Sequence, residues 1–250
     1  MTDTDSLKDK VAFVTGASSG IGLAVAEAML TRGIRVAVSA RRRERLEDLA
    51  ARHAVGRVLV CPADLRRESD IDEAFEQIRR TWGGVDVLVN SGGLGRSAPL
   101  TEGPTDAWRE MLEVNVLGLC ICTREAVRDM RARGDKGHVV HVSSMAAHRV
   151  PSGSGVYSAS KFAVRALTEG LRRELRETGS AIRVTSVSPG FVETEFAGVY
   201  HGDPSASDRT YGRFKVLEAH DVAATVMHVI EAPPHVAIHD VLMRPTDQPT

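Results

Sequence analysis

A short run rich in valine, Val11–Thr15, leads directly into Gly16-Ala17-Ser18-Ser19-Gly20-Ile21-Gly22 and then into an amphipathic stretch at 21–32. This junction constrains the fold more than any other feature. Strand, glycine turn and helix in that order open a β-α-β unit, the crossover that parallel strands require. The pattern then repeats. Apolar runs at 34–39, 57–61, 85–89, 138–142, 182–187 and 241–243 read as strands. Stretches at 44–54, 69–81, about 105–131, 156–178 and 221–230 read as helices. The strands are nearly continuous apolar runs, as in sheets buried on both faces. The expected fold is therefore doubly wound α/β, a parallel seven-stranded sheet with helices on both faces. No linker, repeat or low-complexity segment divides the 250 residues, so one domain is expected over 1–250. The segment 195–215, rich in Gly, Asp, Ser and Tyr, interrupts the alternation just after the sixth strand. Ligands bind at the carboxyl ends of such strands, so it reads as a substrate lid, with a plain surface loop as the alternative.

Composition narrows the function classes. With a net charge of -1 there is no basic excess to draw the chain to nucleic acid. No apolar run is long enough to cross a bilayer, and the polar, acidic opening residues do not resemble a signal peptide. Cys61, Cys120 and Cys122 lie in apolar runs and form no metal-ligand pattern. They read as reduced, buried thiols of a cytoplasmic protein, and no metal is expected.

The glycine turn suits a pyrophosphate. Glycines let backbone N–H groups of Gly16, Ser18, Ser19, Gly20, Ile21 and Gly22 approach an anion, and the following helix points its positive end at it. The second strand ends Ser39-Ala40-Arg41-Arg42-Arg43. A carboxylate at that point would hold the ribose hydroxyls of NAD; guanidiniums favour the 2′-phosphate of NADP. Arg41 is the preferred phosphate ligand, then Arg42, and the cofactor expected is NADP(H). Pairing of these arginines with Glu44 and Glu47 is the alternative.

Tyr157 and Lys161 are four residues apart at the start of a helical stretch, so they share a face. A lysine ammonium close to a phenol is expected to lower its pKa and make it a proton carrier for an alcohol or ketone. Ser143 and Ser144 end the fifth strand, and a hydroxyl there can stabilise charge on a substrate oxygen. Asn115 falls inside a long helix, where Asn is a mediocre former. It is expected either to hold a water linked to Lys161 or to be an ordinary satisfied core amide.

Together these residues resemble the short-chain dehydrogenase/reductase superfamily, from Lys10 to about Thr246. The resemblance implies a Rossmann fold. Its serine spacing selects Ser144, thirteen residues before Tyr157, and its fourth catalytic position matches Asn115. It further implies adenine contacts at Asp64 and Leu65, and nicotinamide and phosphate contacts at Pro189, Gly190, Val192 and Thr194. The family's Asn-Asn-Ala-Gly reads Asn90-Ser91-Gly92-Gly93 here: Asn90 and the final glycine are kept, a looser loop with the same backbone role is expected, and Asn90 and Gly92 are expected to contact the cofactor. A narrower resemblance rests on 148–174, on 192–196 and on the tail Met243-Arg244-Pro245-Thr246-Asp247-Gln248. That subgroup includes NADP-dependent hydroxy-acid and clavulanate-type dehydrogenases, insect farnesol dehydrogenases and a vertebrate keto-steroid reductase.

The function expected is hydride transfer between NADP(H) and a small-molecule ketone, aldehyde or secondary alcohol. Imine reduction or epimerisation through a keto intermediate would use the same groups. A catalytically silent NADP(H) sensor on the same fold is the reading from another class. Pocket candidates are Leu94, Gly95, Arg96, Ala146, His148, Val150, Phe191 and the 195–215 segment, with His148 and His201 weighed as substrate contacts against plain surface histidines. Apolar residues on more than one face of two long helices, Leu117 and Phe162 among them, suit a homo-oligomer, a dimer or tetramer.

Overall fold

The computed structural model describes residues 7–249; the acidic opening stretch at 1–6 lies outside it. Among these residues a seven-stranded parallel sheet carries helices on both faces. The strands are β1 (Val11–Thr15), β2 (Arg35–Ser39), β3 (Val58–Val60), β4 (Val87–Asn90), β5 (His138–Val142), β6 (Arg183–Pro189) and, at the far edge, β9 (Asp240–Met243). Their order is β3-β2-β1-β4-β5-β6-β9. The chain winds outward from β1 in one direction and from β4 in the other. The connections leaving β1 and β4 therefore run to opposite faces of the sheet, and a crevice opens at their carboxyl ends.

Strand alternation sorts the core into two layers. Val14, Val36, Val87, Val89, Val140 and Val187 pack on one side against α1 (Gly20–Thr31) and α9 (Ala219–Glu231). Phe13, Ala37, Leu88, Val139 and Val184 pack on the other, against α3 (Glu68–Trp82) and α5 (Leu119–Ala132). In α3 the buried Ile71, Ala74, Phe75 and Ile78 fall at helical spacing on one face. Its first turn is acidic and its last basic, both favourable to the helix dipole. Phe75 meets Phe13 edge to face, ring centroids 5.0 Å apart. Burying a side chain of this kind contributes about 1.5–3 kcal/mol.

The long helix expected over about 105–131 is not one regular helix. It runs as α4 (Thr105–Leu112), a π-helical turn (Glu113–Gly118) and then α5. Two further strands and two further helices were not legible in the sequence. A two-stranded parallel ribbon pairs β7 (Val192–Glu193) with β8 (Leu217–Glu218), and two short helices, α7 (Phe196–His201) and α8 (Ala206–Tyr211), fill the segment between them. The remaining helices are α2 (Arg43–Ala51) and α6 (Gly155–Glu177).

A polar thread crosses the apolar layer behind the sheet. His141 faces Thr123 Oγ1 with Nε2 at 3.1 Å and Thr168 Oγ1 with Nδ1 at 2.8 Å. Asn90 Nδ2 donates to the same Thr123 oxygen at 3.0 Å. Burial, reinforced by the charge of Lys161, pushes the His141 imidazole down to about 4. The unfolded chain therefore binds a proton below about pH 6.5 that the native chain resists, and stability is lost as pH falls from there toward about 4. Between pH 7 and about 4.5 this group is expected to remove on the order of 2–3 kcal/mol of unfolding free energy. Urea titrations of the wild type and His141→Gln at both pH values check it: an equal decline in the two chains would refute the attribution.

Candidate active site

The crevice at the strand ends is a cavity of about 690 Å³. The glycine turn forms its floor at one end. Gly16 has φ +70°, and a Cβ there would come within 2.8 Å of the Gly92 Cα, so only glycine permits the β1 and β4 loops to meet. Thr15 Oγ1 fastens this contact by accepting from the Gly92 N–H at 2.9 Å. Helix α1 begins at Gly20 with no side-chain cap from Ser19 and no acidic residue in its first turn, so its positive end faces the cavity.

Guanidiniums gather at the same end. Arg42 donates to Ser18 Oγ at 3.0 Å and to Ser19 Oγ at 2.8 Å. Arg42 and Arg45 both bind the Glu195 carboxylate, at 2.8 and 2.7 Å, and hold it down to about 2. Arg45 and Glu195 therefore join this cluster, although no sequence pattern paired residues so far apart. Of the expected pairings with Glu44 and Glu47, only Arg43 with Glu47 is seen, at 3.6 Å. Arg41 lines the cavity with its side chain 59% exposed and, among the described residues, forms an ion pair with Glu110 alone, at 3.9 Å.

Tyr157 and Lys161 stand one turn apart on α6 and both line the cavity, as does Ser144. Ser144 has extended backbone at the end of β5, and its Oγ accepts from the Ala146 N–H at 3.0 Å, which fixes the rotamer. Lys161 is buried, donates from Nζ to the Val142 carbonyl at 3.1 Å, and is pushed down to about 8 by desolvation. The Tyr157 ring packs against Phe196 and Tyr200, with centroids 5.4 and 6.2 Å away. Burial pushes its phenol up to about 12, a shift that the hydrogen bond with Ser144 only partly opposes. This corrects the sequence expectation of a lowered phenol. The Lys161 ammonium stands 6.0 Å from the ring centroid, and desolvation is the largest influence on the phenol.

Asn115 does not line the cavity. From the π-helical turn its Oδ1 accepts from the Leu94 N–H at 2.9 Å, and its Nδ2 donates to the Leu94 carbonyl at 2.8 Å and to Ser160 Oγ at 3.0 Å. The amide thus ties the β4 loop to α6 from behind. Asn90 is also away from the cavity wall. Two residues after Leu88, it points to the α5 side of the sheet and joins the His141 thread. The other residues matched to cofactor contacts, Asp64, Leu65, Gly92, Pro189, Gly190, Val192 and Thr194, all line the cavity. The Asp64 carboxylate is paired with the Arg66 guanidinium.

Of the pocket candidates, Leu94, Ala146, Phe191 and His201 line the cavity, together with Phe196, Tyr200 and Tyr211 from the 195–215 segment. Gly95, Arg96, His148 and Val150 do not. His148 lies 3.2 Å from Ser188 Oγ with its Nε2, and Val150 is exposed. Gln248 and Arg149, which sequence reasoning did not select, are part of the wall.

Comparison with known proteins agrees with this geometry. The family model described as short chain dehydrogenase matches residues 10–203. Dehydrogenase/reductase SDR family member 11 of Bos taurus is 47% identical over 251 residues, covering 97% of this chain and 98% of that protein. Farnesol dehydrogenase of Aedes aegypti is 39% identical over 251 residues, covering 98% and 99%. The solved closed form of serine dehydrogenase complexed with NADP+ superimposes with a TM-score of 0.91 at 32% identity over 96% of each chain. The chain belongs to the short-chain dehydrogenase/reductase superfamily, a family of oxidoreductases that bind a nicotinamide cofactor. No helix among the described residues is long and apolar enough to cross a membrane.

The residues present suit such a cofactor. Ser39 Oγ and Ser143 Oγ are buried without a hydrogen-bond partner among the described residues, and both residues line the cavity. Buried polar atoms are rarely left so. The uncapped helix end and the guanidinium cluster add donors for phosphates at one end, while the apolar wall of Met145, Phe191 and Val192 offers a surface for a planar ring at the other.

Proposed function

We propose that this chain is an NADP(H)-dependent oxidoreductase that interconverts a ketone or aldehyde with its alcohol, Tyr157 carrying the proton. The observation that supports this most is the convergence of the Tyr157 phenol, the Ser144 hydroxyl and the Lys161 ammonium in one cavity whose other end holds the glycine turn and Arg41 and Arg42. A bound nicotinamide supplies or accepts the hydride. The chain's own groups do the rest. A phenol held near 12 is fully protonated at neutral pH, so in the reducing direction Tyr157 gives its proton to the developing alkoxide. Ser144 donates to the same oxygen and stabilises its charge. Lys161, cationic below about 8, stabilises the phenolate left behind. Asn115 holds the Leu94 loop and Ser160 in register around them.

The segment 195–215 acts as the substrate lid in this reading, since Phe196 and Tyr200 cover the Tyr157 ring. The buried thiols of Cys61 and Cys122 fit a reducing, cytoplasmic setting. Leu117 and Phe162, 54% and 41% exposed, fit the contact face of a homo-oligomer.

A panel of ketones, aldehydes and alcohols, followed by nicotinamide absorbance with NADP(H) and NAD(H) in parallel, tests the function. Turnover of carbonyls with NADPH is expected, declining as pH rises through about 8 where Lys161 loses its proton. Binding of NADPH without turnover of any carbonyl would favour the sensor instead. A rate unchanged up to about pH 9.5 would remove the role given to Lys161.

A further inference from the structure

The tail Met243-Arg244-Pro245-Thr246-Asp247-Gln248 leaves the edge strand β9 and returns to the cavity. At its end the polar residue Gln248 is only 7% exposed. Its own N–H donates to the Pro245 carbonyl at 3.1 Å, a turn that aims the side chain inward. There Gln248 Oε1 accepts from the Phe191 backbone N–H at 3.0 Å, across 57 positions of sequence. The neighbouring Gly190 N–H donates to the Met243 carbonyl at 2.8 Å. Two successive amides after β6 are thus held by the tail, one by its backbone and one by this side chain. A Cβ at Gly190 would overlap Gln248 Oε1, so glycine at 190 is what lets the amide oxygen reach Phe191. A second contact pins the tail from across the cavity: Arg149, just past the turn that Ser144 caps, donates to the Pro249 carbonyl at 3.2 Å.

We propose that Gln248 is a positioning residue for the reaction, its amide oxygen fixing the Gly190–Phe191–Val192 turn that forms the cavity wall at the nicotinamide end. This rests on the proposed function for what the turn positions, but the anchor itself is a property of the chain alone. Without an acceptor the Phe191 N–H is a donor left unpaired in a part-buried setting, and the turn relaxes to satisfy it. The phosphates are held far away by the glycine turn and the arginines, so the damage falls on ring placement more than on dinucleotide affinity. Small misplacements of a reacting group cost rate steeply.

Three variants separate the acceptor from mere bulk. Gln248→Met keeps the side-chain length and removes the acceptor; Gln248→Glu keeps the acceptor; Gln248→Ala removes both. Hydrogen exchange of the full chain without cofactor is expected to quicken at the Phe191 amide by about tenfold or more in the Met and Ala variants and by less than about threefold in the Glu variant. In turnover with NADPH, kcat should fall about tenfold or more in the Met and Ala variants, with the NADPH dissociation constant within about threefold of wild type, and recover largely in the Glu variant. A Met variant with unchanged exchange at Phe191, or with unchanged kcat beside an active wild type, overturns the proposal. So does a loss of thermal stability in the Met variant without any change in kcat. A wild type that turns over no carbonyl would refute the proposed function and not the anchor, which the exchange contrast alone decides.

Discussion

Tyr157→Phe is expected to lower kcat for carbonyl reduction by about a hundred- to ten-thousandfold, the usual worth of a placed general acid. The change removes one oxygen and keeps the ring that packs against Phe196 and Tyr200. The cavity wall should therefore stay intact, and NADPH affinity should stay within about threefold, because the phosphates are gripped at the other end. Stopped-flow turnover beside a fluorescence titration of NADPH separates the two quantities. Ser144 would retain its capped rotamer in the variant, so residual rate would report what the hydroxyl and the bound geometry achieve alone. Retained turnover would remove Tyr157 from the reaction.

Arg41→Ala is expected to raise KM for NADPH by about ten- to a hundredfold and leave KM for NADH within about threefold, since a charge-assisted contact to a phosphate contributes on the order of 1.5–3 kcal/mol. Arg41 is the informative choice among the clustered arginines. Among the described residues its only ion-pair partner is Glu110 at 3.9 Å, and its side chain is 59% exposed, so removing it disturbs little else. Arg42 is tied to Ser18, Ser19 and Glu195, so its loss would also loosen the glycine turn and the start of the 195–215 segment. Steady-state kinetics with both cofactors decide the matter. An equal change for both would assign the 2′-phosphate elsewhere.

The site was legible where its logic is local. The glycine turn lies between adjacent elements, and the four-residue step from Tyr157 to Lys161 is one helical turn, so spacing alone brings each together. The serine needed more, because Ser143 and Ser144 both follow β5 and only the family spacing chose between them. The parallel sheet followed from apolar runs, although strand ends shifted by a residue or two. What escaped depends on tertiary surroundings. The phenol of Tyr157 rises because neighbouring aromatic rings strip its water, and no pattern of spacing reports desolvation. Asn90 faces the core because of strand parity relative to Leu88, which the motif match ignored. The helices α7 and α8 span six residues each, too short for a 3.6-residue period to register. Gln248 was visible as part of a signature, but its partner Phe191 was not.

The π-helical turn at Glu113–Gly118 also bears on how this chain can change length. A π-turn amounts to one extra residue wound into an α-helix. Deleting a single residue there would let α4 and α5 merge into one regular helix, a locally favourable outcome. The wide turn absorbs that residue, so α4 and α5 would keep their mutual facing while the residues inside the turn lose their present places. Asn115 would swing away from Leu94, and the loop between β4 and α4 would lose the two hydrogen bonds that hold it beside Lys161. An edit that mends the helix would thus undo the site, and in this stretch the helix is bound to keep its irregular count of residues even where side chains are free to vary.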